Sequence, residues 1–413
     1  MAIKEDVESD LQEGITDPLM RVEKNLADGG SSRGGNQWMV YLSTFVAVSG
    51  SYEFGCCIGY SSPTQSAIRE DLSLTLAEYS VFGSIVTFGA MIGAITIGPI
   101  TDFLGRKGVG LLFTFPRGLC LWTLGDWQLD TEWEPFRMWT SSLCSDHFRS
   151  LFHSRVSKMV GRQREFEMAL QKLRGKDADI SHEAAEIQDY ILTLDRLPKA
   201  KLLDLFQRRY LRSVMIAVGL MVFQQLGGIN GVCFYVSNIF EQAGFSSSVG
   251  TITYAILQVV VTAVAASVMD KAGRKPLILV SASGLVLGSL LTAISFFLKV
   301  HELALTATPI LAVTGILIYI GSFSIGMGAV PWIVMSEIFP INIKGQAGSF
   351  ATLVNWLGAW LCSYTFNFLM SWSSYGTFIL YAAINTLAIL FVILMVPETK
   401  GKTLEQIQGD INK

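Results

Sequence analysis

The stretch YGTFILYAAINTLAILFVILMV at 375–396 carries no charged side chain from end to end. A helix of about 20 such residues crosses about 30 Å of hydrocarbon, so a run of this kind reads as a transmembrane span. Similar apolar runs occur at Trp38–Tyr60, Val81–Leu104, Val214–Phe240, Thr251–Met269, Leu277–Phe297, Ala304–Val334 and Ala347–Met370. Gly110–Leu124 is apolar but short, and holds Pro116 and Arg117, which makes it a poor further span. Composition agrees, with 51% hydrophobic residues, 16% charged and a mean hydropathy of +0.43. That is too apolar for a soluble globular chain and argues against a soluble enzyme. A net charge of −3 offers no basic face for nucleic acid. Residues 1–37 are polar, acidic and rich in Gly and Ser, as a disordered tail would be. They lack the basic start and short apolar core of a cleaved signal peptide, so the first span is expected to be its own insertion signal. The six cysteines lie mostly in apolar runs without paired spacing, so neither disulfides nor a metal site is expected.

Lys and Arg give the orientation. They gather at Arg106 and Lys107, through 155–212, from Lys271 to Lys275, at Lys344 and from Lys400 onward, with little beyond Arg69 and Lys299 on the other side. The basic side, with both chain ends, is expected to be cytosolic. TDFLGRKG (101–108) and MDKAGRKP (269–276) share D-x-x-G-R-K, each after a span. Any loop that stops a span attracts Gly, Arg and Lys, but an acid at the same place in both favours two related halves. Asp102 and Asp270 can pair with arginines or cap a helix end, and Gly105 and Gly273 permit a sharp turn. If both loops are cytosolic, the chain crosses an even number of times between them. Val214–Phe240 and Thr251–Met269 supply two crossings, so Gly110–Leu124 alone cannot be a span. In 160–196, Phe166, Ala169, Leu170 and Leu173 recur at helical spacing among charges, which predicts short amphipathic helices outside the bilayer.

Polar side chains inside spans are functional candidates, because lipid penalises them. FQQLGGINGVCFY (223–235) places Gln224, Gln225 and Asn230 around Gly227, Gly228 and Gly231. Amides donate and accept, which suits a neutral polyhydroxylated ligand, and the glycines let the helix open or pack closely. The plainer reading is amide glue between helices. Gln258 is the one strongly polar side chain of its span, and Asn355 sits in mid-span beside Trp356; each reads equally as glue or as a ligand contact. Trp332 follows Pro331, where a ring could stack on a sugar or anchor the helix at the interface. Glu53 is an acid inside the first span, and Glu337 lies at the cytosolic end of its own, near Lys344. No Ser/His/Asp set, HExxH, P-loop or GxGxxG occurs, and the four histidines pair with no acid or cysteine at ligand spacing.

GPITDFLGRKG (98–108), QQLGGINGVCFY (224–235), MDKAGRKPL (269–277), VPWIVMSEIFP (330–340) and PETKGKTLEQI (397–407) together resemble the sugar-porter branch of the major facilitator superfamily. With GYSSPTQ (59–65) and GRQREFEMALQKLRG (161–175), the finer match is similar to the plant early-responsive-to-dehydration-like sugar transporters. The resemblance covers about 37–109 and 158–413. It implies an all-α membrane protein of two six-helix bundles that exposes a bound hexose by alternating access. It places hexose contacts at Gln224, Gln225, Asn230, Gln258, Trp332 and Asn355, and cavity-lining aromatics at Tyr235 and Phe323. It assigns Asp102, Arg106, Asp270, Arg274 and Glu337 to a cytosolic latch. No cofactor is implied. Proton-coupled relatives carry an acid two residues after a Phe-Gly in the first helix; here that position is Cys57, after Phe54-Gly55. Glu53 is then the candidate proton site, and facilitated diffusion is favoured over proton symport. The resemblance favours the vacuolar membrane over the plasma membrane.

One segment departs from the family. Residues 109–157 stand where the third to sixth helices are expected, and include the Trp- and acid-rich DWQLDTEWEPFRMW (126–139). One set of synonymous codons for that stretch, read two nucleotides later, spells LATGYGMGAFPYV, like the family's glycine-rich fourth helix. The segment is therefore read as aberrant, from altered splicing, a frame error or a gene-prediction fault. The organisation expected is a tail at 1–37, the first two helices at 38–108, the aberrant segment at 109–157 and a cytosolic helical linker at 158–210. A six-helix C-terminal bundle at 211–397 and a cytosolic tail at 398–413 follow, which makes a major facilitator fold of about eight spans lacking about four helices. The function expected is sugar transport, with the alternative of a non-transporting isoform that interferes with intact relatives.

Overall fold

The computed structural model describes residues 55, 58–59, 61–96, 167, 171, 180–181, 184–185, 202–402 and 404–412. Glu53, Asp102, Arg106, the segment 109–157 and most of the first expected span and of the linker lie outside the described residues. The described parts of Glu53–Thr96 and Lys199–Lys413 form one compact, all-helical unit.

Helix α1 spans 61–71 and α2 spans Leu76–Thr96. The start of α2 is fixed by a capping box. The Thr75 hydroxyl and N–H both donate to the Glu78 carboxylate, at 2.7 and 2.8 Å, and the Glu78 N–H returns to Thr75 Oγ1 at 3.3 Å. Two orphan donors are thus satisfied reciprocally. The cap places the helix start at Leu76 rather than at Val81, where hydropathy alone put it.

After a short 3-10 turn at Leu202–Phe206, α3 (Arg208–Leu226) and α4 (Ile229–Ala243) make one crossing broken at Gly227–Gly228. Helix α5 (Ser247–Ala272) and α6 (Arg274–Val300) meet at Gly273, whose φ of +90° needs a residue without a Cβ. A second broken crossing follows, made of α7 (Thr308–Ser322), a π-helical turn at Phe323–Met327 and α8 (Val330–Ile338). It starts at Thr308 rather than Ala304, because 302–307 form a turn with Glu302 and Ala304 at positive φ. Then come α9 (Ile341–Trp372), α10 (Ser374–Met395) and a short tail helix, α11 (Leu404–Asn412).

Among the described residues, six crossings are long and apolar enough for a bilayer: Leu76–Thr96, Arg208–Ala243, Ser247–Met269, Arg274–Val300, Thr308–Ile338 and Ser374–Met395. Helix α9 covers the further expected span Ala347–Met370 and is more polar, burying Asn355, Ser363 and Asn367. The surface is apolar where a bilayer would touch it, as at Ile252, Ile256, Val259, Val260 and Val264 on α5. Small polar side chains are packed among the apolar core residues, with Ser281, Ser289, Thr292 and Ser295 buried along α6. This mixture suits a solvent as apolar as leucine, in which helices associate by close packing and hydrogen bonds. The α6–α7 contact is an example. A Cβ at Gly288 would meet the Gly315 carbonyl at 2.7 Å, so the two backbones touch.

Helices α1 and α2 dock on this bundle through polar and aromatic side chains. Ser62 Oγ donates to Ser237 Oγ at 3.0 Å and accepts the Ser237 N–H at 3.0 Å. Asn367 Nδ2 donates to Ser80 Oγ at 3.0 Å. Tyr79 donates to the Ser61 carbonyl at 2.6 Å and meets the Tyr235 ring edge-on at 6.3 Å.

Candidate functional site

Gln224 and Gln225 lie on the last turn of α3, and Asn230 lies on the first turn of α4. The break between them is built by Gly228, at φ +106°, where a Cβ would fall 2.5 Å from the Tyr381 ring. A Cβ at Gly227 would meet Asn385 Oδ1 at 2.8 Å. Turning the chain here frees the Gly227 carbonyl from helical pairing. Its usual donor four residues on, the Gly231 N–H, faces the Cys362 sulfur together with the Asn230 N–H. Two buried side chains take over, with Tyr319 Oη donating to Gly227 O at 2.8 Å and Asn385 Nδ2 at 3.2 Å.

The second break has a cause legible in the chain. Met327 O would accept from the N–H four residues later, but that residue is Pro331, which has none. Gln224 Nε2 fills the place, donating to Met327 O at 2.6 Å and to Gly328 O at 3.0 Å. Gln224 Oε1 accepts from Asn355 Nδ2 at 2.8 Å and from Gln225 Nε2 at 3.4 Å. Gln225 Oε1 in turn accepts from Asn230 Nδ2. Four of the six side chains expected to contact a hexose, Gln224, Gln225, Asn230 and Asn355, are thus one connected amide network between two broken helices.

The other expected residues stand outside this hydrogen-bonded network. Gln258 is half-buried on α5 and makes no hydrogen bond among the described residues. Trp332 is half-buried on the first turn of α8, and Phe323 opens the π-helical turn; both pack against the apolar core. Tyr235 is fully buried, stacked on Phe366 at 5.1 Å and covered by Tyr79. A Cβ at Gly83 would meet its hydroxyl at 2.9 Å, so α2 closes over it.

At the end of the bundle where α6 begins, Arg274 grips one oxygen of Glu337, with Nη2 at 3.0 Å and Nε at 3.3 Å. Thr399 Oγ1 donates to the other oxygen at 2.6 Å. Glu398, not singled out from sequence, caps α6 by accepting the Arg274 and Lys275 N–H groups at 3.0 Å each. Partial burial pushes its carboxyl up. The N–H groups of Lys400, Arg274, Lys275 and Thr399 outweigh that and hold it below the usual carboxylate range. Lys400 Nζ reaches the Lys271 carbonyl at 2.6 Å, so the PETKG stretch ties the ends of α5, α6, α8 and α10 together. Asp270 lies in the last turn of α5, and its side chain lies outside the described residues.

Tyr319, Asn385, Glu398 and Thr399 are residues of these clusters that sequence reasoning did not single out. Asn385 and Glu398 carried a signal, an amide in an apolar run and an acid in a matched motif. Tyr319 carried none, because aromatic residues in spans are ordinary core.

The sugar (and other) transporter family matches residues 156–410. From Arabidopsis thaliana, sugar transporter ERD6-like 7 is 57% identical over 468 aligned positions, covering 98% of this chain and 100% of the relative. Sugar transporter ERD6-like 8 is 47% identical, covering 90% of this chain and 93% of the relative. The 468 positions exceed the 413 residues of this chain, so the first relative carries residues with no counterpart here. Among solved structures, the proton:xylose symporter XylE bound to 6-bromo-6-deoxy-D-glucose superposes with a TM-score of 0.65 at 22% identity. That match covers 91% of this chain and 99% of XylE. The inward open form of XylE from E. coli gives 0.63 at the same identity, covering 90% and 99%. At this identity the structural likeness is one of fold. From the sequence relatives and the family match, the chain belongs to the sugar porters of the major facilitator superfamily, in the ERD6-like branch.

Proposed function

We propose that the chain is a carrier for a neutral monosaccharide, working by alternating access at the amide network. The observation that carries this reading is that Gln224, Gln225, Asn230 and Asn355 converge in an apolar bundle at the breaks of two helices. Each amide offers both a donor and an acceptor, as a ring of hydroxyls requires. In the form described, Gln224, Gln225, Asn230 and Asn355 bond to one another, so a sugar would exchange those amide–amide bonds for its own. Trp332 and Phe323 border the network and would cover the apolar face of the sugar ring. The breaks at Gly227–Gly228 and Phe323–Met327 let half-helices tilt without unwinding a whole span. The names of the relatives and the ligand of XylE agree with a sugar cargo.

The test is uptake of labelled D-glucose by proteoliposomes. Saturable uptake is expected, with the half-saturation concentration raised about fivefold to tenfold in Gln224→Ala or Gln225→Ala, the worth of one or two buried hydrogen bonds. For coupling, facilitated diffusion is the reading, since the acid expected after Phe54-Gly55 is Cys57. Uptake is then expected to be unchanged by an imposed pH gradient or by Glu53→Gln. A second reading rests on the alignment being longer than the chain, together with the expectation that 109–157 stands in place of four helices. It is a non-transporting protein that associates with intact relatives. Stable membrane insertion with no saturable uptake, and reduced uptake by a co-expressed intact relative, would select it. The same reading expects both termini in the cytosol and favours the vacuolar over the plasma membrane, which protease protection and a fluorescent fusion would check.

A further inference from the structure

The two broken crossings satisfy each other's freed carbonyls. Gln224, from just before the α3–α4 break, donates to Met327 and Gly328 in the α7–α8 break. Tyr319, from just before the α7–α8 break, donates to Gly227 in the α3–α4 break. The bonds to Met327 and Gly227 are buried, with Gln224 3% exposed and Tyr319 1% exposed, so neither of these two freed carbonyls has water as a substitute, while the bond to Gly328 is partly buried. Thr292 and Gly288 press the backbone of α7 against α6, with the Gly288 Cβ position 2.6 Å from the Tyr319 N, so Tyr319 cannot retreat from its place. Asn385 supplies the second hydrogen bond to Gly227 but also donates to its own helix at Tyr381 O, 2.8 Å away, so it anchors the break to α10 and not to the other break.

We infer that Tyr319 is a positioning residue for the amide network and one arm of a reciprocal clamp. Holding the Gly227 carbonyl fixes the angle between α3 and α4, and with it the spacing between Gln225 before the break and Asn230 after it. Together with Gln224 it makes the two breaks open and close as one unit. A ligand that draws Gln224 off the Met327 and Gly328 carbonyls therefore loosens the α7–α8 break, and the strain returns to the α3–α4 break through Tyr319. The coupling follows from the hydrogen bonds alone; only its consequence for affinity rests on the sugar-carrier reading.

Tyr319→Phe removes the hydroxyl and keeps the ring, and the full chain in lipid nanodiscs serves as the sample. Hydrogen–deuterium exchange is followed in peptides covering 226–232, 323–332 and, as a reference, 281–295 of α6. Exchange is expected to quicken about fivefold in both break peptides, the worth of one buried hydrogen bond, and to stay unchanged in the reference. Equilibrium binding of labelled D-glucose is expected to weaken by a similar factor, with the thermal unfolding midpoint held. Unchanged exchange in both breaks overturns the positioning role. Faster exchange at 226–232 alone overturns the coupling, and faster exchange everywhere with a lowered midpoint reduces the hydroxyl to a general stabiliser. Wild-type protein that binds no glucose, with both breaks quickened in the variant, sinks the sugar reading and leaves the clamp. Glucose binding equal in the two proteins, with unchanged exchange, sinks the clamp and leaves the sugar reading.

Discussion

Gly228 and Gly348 are the same residue type under opposite constraints. Gly228 has φ +106°, and its Cβ would overlap the Tyr381 ring. Gly348 sits inside α9 with nothing within 4 Å of a Cβ. Gly228→Ala should therefore cost about 2–4 kcal/mol from backbone strain and overpacking. Gly348→Ala should gain up to about 1 kcal/mol from helix propensity. Thermal melts of the detergent-solubilised protein check this: the midpoint falls for the first and holds or rises for the second. Gln224, Gln225, Asn230 and Asn355 were legible at this scale because an amide in an apolar run stands out. Tyr319 was not, because its importance lies in a carbonyl that only the break at Gly227 sets free.

The helix ends carry the next level of organisation. Glu398 lies beyond α10 yet caps α6, across 124 residues of sequence, and its carboxyl is held low by backbone N–H donors. A group held low in the folded state stabilises the fold above its ordinary value and loses that contribution as pH falls through the folded value. Wild type should thus be more heat-stable than Glu398→Gln at neutral pH. The gap should narrow as pH drops below the ordinary carboxylate value of 4.5, and melts from pH 7 to pH 4 would show it. An equal gap at every pH would mean the charge is not what Glu398 supplies. The same region shows how far local reading reached. D-x-x-G-R-K announced a tight turn at Gly273, which is seen, whereas Glu337, read from the residues beside Lys344, pairs with Arg274, a residue that the resemblance put in the same latch. That Thr399 and Glu398 complete the cluster needed the end of α10 to fold back over α6.

In the whole molecule, the α1–α2 pair meets α4 and α9 at the end opposite the Arg274–Glu337 pair, closing over Tyr235 through Tyr79, Ser62 and Ser80. Alternating access requires this contact to part. Ser62 and Ser237 have their hydroxyl oxygens 3.0 Å apart, close enough for cysteines at both positions to form a disulfide after small adjustment. In a background with Cys56, Cys57 and Cys233 replaced by Ser, mild oxidation of Ser62→Cys/Ser237→Cys should give a crosslink that blocks uptake. Reduction should restore it. A crosslinked protein that still transports would show that this contact need not open. At the gene, an alternate frame over 126–139 encoding a glycine-rich helix is expected. Its absence would reject the frame-shift account of 109–157.

The sequence alone determined the membrane class, where the apolar crossings of the described residues lie to within a few residues, and the glycine and proline breaks. Those properties are local. Hydropathy acts over one bilayer thickness, Pro331 removes a donor wherever it stands, and glycine tolerates the φ of +106° found at Gly228. The tertiary structure decided the partners. Gln224 finds its carbonyl 103 residues away, and Asn367 finds Ser80 287 residues away. In a bilayer no water satisfies a freed carbonyl, so those of Gly227 and Met327 take partners from the helices packed beside them. Neighbourhood is a property of the assembled bundle and is written in no single stretch of the chain.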